Sequence, residues 1–321
     1  MRPTARLLYA LMSAGAFAGG CADSPAPTSP PKRVIAVDLV RDVSEATFTP
    51  FAVPGATFTL PLDINEHGVI VGRYAAAGRT HGFLREETGA YTTIDFPGSN
   101  FSVAASINDS GAVAGWYTLP AAPAVRHGFI LKAGVFTTID PPGSAFTNVL
   151  GINERGDASG RYRPPGTGPF HGFAYQDGVF KTLDVPGATE TDAFKLAASG
   201  VVVGGFIPIS GPEQLFVFSH DEFTTYALPN GKSISLDNGG VNSHGDMVGA
   251  YCDVAFPCLF AATGTHGFLL TSRGEFTTID YPGAMATQAI GINARGDIAG
   301  AWVDGSAVSR GFVLTSRGVV P

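Results

Sequence analysis

Hydrophobic and polar residues alternate along this chain in short runs of four to seven residues, rich in Val, Ile, Phe, Thr and Tyr and bounded by Gly, Asn or Pro. Such runs are strand signals joined by hairpin turns, and no stretch keeps a helical period long enough to compete. The runs also recur. YTTIDFPG at 91–98 returns as FTTIDPPG from Phe136, FKTLDVPG from Phe180, FTTYALPN from Phe223 and FTTIDYPG from Phe276, with a divergent FTPFAVPG from Phe48. The proline of this phrase stands at 54, 97, 142, 186, 229 and 282, a spacing of 43 to 45 residues that widens to 53 in the last interval. Self-similarity at that period marks a repeat architecture.

Each repeat carries four phrases. The first ends in GIN or a variant of it (Asp63-Ile64-Asn65, Ser106-Ile107-Asn108, Gly151-Ile152-Asn153, Gly291-Ile292-Asn293), and a tight turn such as Glu154-Arg155-Gly156-Asp157 follows. Next come an apolar run such as VIVGRY at 69–74, a variable loop, and HGF at His81, His127, His171 and His266. Asn followed three residues later by Gly suits a hairpin, because Asn bonds the local backbone and Gly accepts a positive φ. Four antiparallel strands per repeat make one twisted blade, and six repeats predict an all-β, six-bladed β-propeller, a fold that protects strand edges by radial repetition. The chain opens with FTPFAV from Phe48, the last strand of a repeat, and closes with RGFVL at 310–314, the strand before it. The N-terminal outer strand is therefore expected to close the ring.

Composition narrows the class. With 42 Gly and 23 Pro in 321 residues, a helical bundle is excluded. With 45% hydrophobic residues and 23 Phe, so is disorder. The formal charge is −7 and the basic residues are scattered, so no run can track a phosphate backbone or an anionic membrane surface. The sequence points to a monomer that uses no nucleic acid and no cofactor, with an extracellular or periplasmic ligand or protein as partner.

Residues 1–20 read as a signal peptide, with Arg2 and Arg6 before the apolar run Leu7 to Phe17. Residues 21–33 hold Cys21 and a Pro/Ser-rich tether, and 34–321 form one propeller domain. Ala18-Gly19-Gly20-Cys21 resembles the lipobox of bacterial lipoproteins, with Ala18 where Leu is usual. That resemblance implies lipidation of Cys21 and attachment to the cell envelope; release as a secreted or periplasmic protein is the alternative. Cys252 and Cys258, six apart, are most simply a disulfide closing a small loop in an oxidising compartment. A metal reading is weak, since only His266 lies near them in sequence.

The spacing, the GIN turn and the His-containing strand together resemble the HAF family of bacterial extracellular repeats, named for a His-Ala-Phe triplet. Here the triplet reads His-Gly-Phe in four copies, while Gln214-Leu215-Phe216 and Arg310-Gly311-Phe312 replace it in the others. The resemblance covers residues from about 48 to 315. It implies the repeat fold and export, and little about activity.

The four histidines occupy equivalent places in separate repeats, which suits a bond within or between blades better than a metal ring. Arg155-Gly156-Asp157 and Arg295-Gly296-Asp297 spell an adhesion tripeptide, but both fall in the repeat's own turn. No calcium loop, GxSxG elbow or phosphate-binding loop is present in the sequence. Asp95, Asp140, Asp184 and Asp280 end a strand in four repeats, as structural residues would.

Breaks in the repeat are more informative. Five residues before the turn Asn, the chain reads Leu60, Val103, Asn148, Asp192, Asp237 and Gln288. If that strand is innermost, Asn148, Asp192, Asp237 and Gln288 line an axial channel, joined by Glu190 and by Lys195, which stands where other repeats have Gly, Ser or Asp. Repeat four also has Ala197 in place of the turn Asn. A second candidate is the loop face, with Tyr74, Tyr117, Tyr162, Tyr251 and Trp302 at the roots of the variable loops. These features favour an exported, non-catalytic protein that binds a ligand or partner on its loop face and axial mouth. The alternatives are an exported hydrolase or lyase, with Asp192, Glu190 or Asp237 as acid and base and Lys195 tuning them, and a purely structural surface protein.

Overall fold

The computed structural model of the chain describes residues 32–34, 47–197, 199–228, 232–235, 239–253 and 264–315, and every regular element in them is a strand. β1 (Lys32–Val34) and β2 (Thr47–Phe51) precede the repeats. Repeat one forms β3 (Phe58–Ile64), β4 (Ile70–Ala76), β5 (Arg79–Arg85) and β6 (Tyr91–Ile94). Repeat two forms β7 (Phe101–Ile107), β8 (Val113–Leu119), β9 (Ala122–Lys132) and β10 (Val135–Ile139). Repeat three forms β11 (Phe146–Ile152), β12 (Ala158–Arg163), β13 (His171–Gln176) and β14 (Val179–Leu183). Repeat four forms β15 (Ala188–Leu196), β16 (Val202–Pro208), β17 (Gln214–Ser219) and β18 (Glu222–Ala227). Repeat five has β19 (Ser233–Ile234), β20 (Gly240–Val241), β21 (Met247–Cys252), β22 (Thr265–Leu270) and β23 (Phe276–Ile279). Repeat six has β24 (Ala286–Ile292), β25 (Ile298–Val303) and β26 (Ser309–Thr315).

Within a repeat the strands pair antiparallel in chain order. β2 pairs antiparallel with β26, so the N-terminal strand does supply the missing fourth strand of repeat six. Hydrogen bonding joins the repeats into three sheets of twelve, nine and five strands rather than six separate ones. The cause is local: one-residue parallel bridges, Thr80 to Phe101, Arg126 to Phe146 and Thr265 to Ala286, tie a third strand to the first strand of the next repeat. β1 adds to the outer edge of repeat four, parallel to β18.

The core follows from two positions of the repeat. The Phe of each HGF-type triplet (Phe83, Phe129, Phe173, Phe216, Phe268, Phe312) is buried and pairs across the ladder with the glycine of the preceding strand, as Phe173 does with Gly160. A Cβ on Gly160 would lie 2.0 Å from the Asn148 carbonyl oxygen and 2.8 Å from the Phe173 ring. The glycine is therefore required first by the close carbonyl of the neighbouring strand and then by the phenylalanine ring. The second position is a β-bulge one residue before the GIN position, seen as register shifts in β3, β7, β11, β15 and β24. The extra residue turns inward. Leu62, Ala105, Leu150, Phe194 and Ile290 thus meet in one apolar cluster with Leu60 and Val103, and fill the middle of the fold.

The turn asparagines join neighbouring repeats. Each uses Oδ1 to accept from backbone N–H groups of its own turn, as Asn65 does from His67 and Val69, both at 3.0 Å. Each uses Nδ2 to donate to the equivalent carbonyl of the next repeat: Asn65 to Asn108 at 3.2 Å, Asn108 to Asn153 at 3.0 Å, Asn153 to Ala197 at 3.4 Å and Asn242 to Asn293 at 3.2 Å. Asn293 donates to the Asn65 carbonyl at 3.1 Å, across 228 residues, returning the series to repeat one. Among the described residues the gap in this series falls after Ala197, whose side chain has no amide to donate. Replacing Asn108 by Ala is expected to cost about 1–3 kcal/mol, because buried N–H and C=O groups lose their partner. Ala197→Asn is expected to raise stability by about 1 kcal/mol by supplying the missing bond. Denaturant unfolding of the two variants checks both signs.

Candidate functional site

On the turn side, a cavity of about 170 Å³ opens over the asparagine belt, and Lys195 reaches into it. Lys195, Ser106 and Asp63 occupy the same position in repeats four, two and one, where repeats three, five and six have glycine. Lys195 Nζ lies 2.6 Å from Asp63 Oδ2 and donates to Ser106 Oγ at 2.9 Å. Ser106 Oγ in turn donates to Asp63 Oδ2 at 2.6 Å and accepts from the Ile152 N–H at 3.3 Å. Burial lowers the Lys195 pKa, although Asp63 acts to raise it. The departures from the glycine consensus are one cluster joining three repeats, and Lys195 is directed at Asp63 rather than at Asp192.

Around the rim, repeats are linked again by carboxylates: the Glu66 N–H donates to Asp109 at 2.8 Å, the Asp109 N–H to Glu154 at 2.7 Å and the Ala294 N–H to Glu66 at 2.7 Å. Each polar group just described is bonded within the assembly.

The loop side repeats a different set. His81, His127, His171 and His266 place Nδ1 2.7–2.8 Å from Asp95, Asp140, Asp184 and Asp280. Tyr74, Tyr117, Tyr162 and Tyr251 lie against those imidazoles at centroid distances of 5.1–5.4 Å. Their hydroxyls bond Thr93, Thr138, Thr182 and Thr278. Each set ties the second strand, the third strand and the turn after the fourth, so these tyrosines pack strand ends. Trp302 stacks on Tyr281 at 4.2 Å, and the Arg310 guanidinium lies 5.4 Å from its ring centre. The pairing of histidine with aspartate was missed in the sequence, where it left a signal: repeats four and six lose both partners together, having Gln214 with Ala227 and Arg310 with Ala52.

Toward the loop side, the polar first-strand residues meet arginines that sequence reasoning also missed. Asn148 pairs across the ladder with Arg161, and Phe146 with Arg163. Arg161 Nη1 lies 2.6 Å from Asp192 Oδ2, so repeats three and four are joined here. Arg126 sits 4.4 Å from the Phe146 ring centre, Arg161 4.7 Å and Arg163 4.8 Å from that of Phe170, and Arg73 5.6 Å from that of Phe58. The Arg126 pKa is lowered to about 10, first by burial and then by the charges of Arg161, Arg73 and Arg163. Asn148 and Gln288 are buried, and the side-chain oxygen of each has no partner among the described residues. Glu190 is half-buried on β15, opposite Ile207. Asp237 and Cys258 lie outside the described residues; Cys252 is buried, its Sγ 3.5 Å from Thr265 Oγ1. Among the described residues no group of three or more His, Cys, Asp or Glu side chains is arranged to hold a metal ion.

Lys195→Met is expected to destabilise the protein by about 3–5 kcal/mol, since it leaves Asp63 buried without its cation. The double variant Asp63→Asn, Lys195→Met is expected to recover much of that loss, as measured by denaturant unfolding.

No family model and no curated protein matches the sequence. Solved structures do match. Virginiamycin B lyase from Staphylococcus aureus aligns at TM-score 0.51 and 12% identity, over 84% of this chain and 99% of that one. A mutant of the Aleuria aurantia lectin, in complex with Fucα1-6GlcNAc, aligns at TM-score 0.52 and 10% identity, over 82% and 94%. The β-propeller domain of the trilobed protease from Pyrococcus furiosus aligns at TM-score 0.49 and 9% identity, over 81% and 96%. At such identities the likeness is one of fold, and the fold of this chain is an all-β propeller.

Proposed function

We propose that this chain is an exported, HAF-type propeller of six four-stranded blades, closed by its N-terminal strand, that binds a ligand at the loop-side mouth without catalysis. The observation that carries the reading is the contrast between the two ends of the first strands. On the turn side, Lys195, Ser106 and Asp63 are bonded to one another, and the asparagines to the turns of neighbouring repeats. At the other end, arginines from three repeats stand over phenylalanine rings beside Asn148, whose buried oxygen has no partner among the described residues. Polar groups gathered on an aromatic lining are what fixes and orients a ligand. Asp192, the strongest acid–base candidate, is engaged by Arg161, and Lys195 by Asp63. A carboxylate reaction centred on Asp192 and tuned by Lys195 therefore has less support than binding.

Attachment to the envelope through Cys21 belongs to the same proposal. Fatty-acid labelling of the full chain in a bacterial host should mark the wild type and be lost in Cys21→Ser; equal labelling of both would remove the anchor. For the mouth, a panel of sugars, peptides and small organic acids is titrated against the mature domain by calorimetry. Binding is expected to weaken at least about tenfold in Arg163→Ala. A ligand indifferent to that change, and to Asn148→Ala, would place function elsewhere.

A further inference from the structure

We propose that the loop-side mouth is a carboxylate-binding site in which Arg126 and Arg163 clasp acidic groups of the ligand, making that ligand a polycarboxylate. The inference rests on the binding reading above and adds the chemical class. Arg73 comes from repeat one, Arg126 from repeat two, and Arg161 and Arg163 from repeat three, although the chain as a whole carries a formal charge of −7. Concentrating four guanidinium groups costs free energy through repulsion and desolvation, and the depressed Arg126 pKa reflects both. An anion bound among them relieves the repulsion.

The partners already present favour Arg126 and Arg163 as the ligand's share. Arg161 is paired with Asp192. Among the described residues no carboxylate pairs with Arg126 or Arg163; they are held instead on the faces of Phe146 and Phe170, at 4.4 and 4.8 Å. A guanidinium carries a fork of N–H donors, and that fork fits the two oxygens of a carboxylate. The bond from Arg161 to Asp192 shows an arginine of the same cluster donating to a carboxylate, at 2.6 Å. The aromatic lining suits a ring-bearing ligand. Free polycarboxylic acids and acidic sugar chains share this chemistry, and the test separates them.

The mature protein is titrated by calorimetry with tetragalacturonate, its methyl ester, citrate and inorganic phosphate at two salt concentrations. The proposal expects binding of tetragalacturonate or citrate that weakens at least about tenfold in Arg126→Gln and in Arg163→Gln, and weakens with salt. Arg155→Gln, on the turn side, should leave it unchanged. Preference for tetragalacturonate assigns a sugar-chain acid, and preference for citrate a free acid. If the methyl ester binds as tightly as the acid and still responds to Arg163→Gln, the carboxylate class fails while binding at the mouth stands. If phosphate alone binds, the class fails likewise. If no probe responds to either arginine, the site itself fails. Should Arg126→Gln not fold, Arg126→Lys keeps the charge and removes the fork, and the same tenfold loss is expected.

Discussion

The asparagine at each inter-strand turn carries the assembly of this molecule. Its carbonyl oxygen shapes its own hairpin and its amide reaches the backbone of the next repeat, so local turn and global closure depend on one side chain. A solenoid could stack such units without limit. Here the bond from Asn293 to the Asn65 carbonyl and the ladder between β2 and β26 bring the last repeat back to the first. A bulge before this turn in β3, β7, β11, β15 and β24 then turns one residue inward, and Leu62, Leu150, Phe194 and Ile290 join one apolar cluster.

The two ends of the first strands differ in chemistry. On the turn side, repeat four has no amide at Ala197, and its Lys195 sends an ammonium group to Asp63 and Ser106 of repeats one and two. A buried ion pair of this kind is weak evidence for net stability but a strong constraint on which repeats sit together. On the loop side the histidine–aspartate sets hold strand ends, and beyond them the arginines and phenylalanines of repeats one to three form the surface we assign to a ligand.

Much of this was legible in the chain because repetition makes each position a comparison. The spacing of the prolines and of the GIN phrase marked out the strands, the turns and the terminal clasp. The glycine-to-lysine change at 195 stood out, yet its meaning did not, because Asp63 and Ser106 read as ordinary variants until the fold brought Lys195 to both. The joint loss of histidine and aspartate in repeats four and six was visible in sequence and needed only the register to be understood. Arg73, Arg126, Arg161 and Arg163 were not legible: they lie on second and third strands of three repeats, and only cross-strand register and the packing of neighbours bring them together. Asn148 and Asp192 stood out in the sequence, since a polar residue in an otherwise apolar strand is conspicuous by itself.

If the asparagine belt holds the ring together, the seam after Ala197 is weaker than the others. Native-state hydrogen exchange resolved by peptide across the turns tests this directly. The account predicts that amides at the turn of repeat four, around Ala197 to Val201, exchange through a lower-energy opening than those at Asn65, Asn108, Asn153 and Asn293. Uniform protection across all the turns would contradict it.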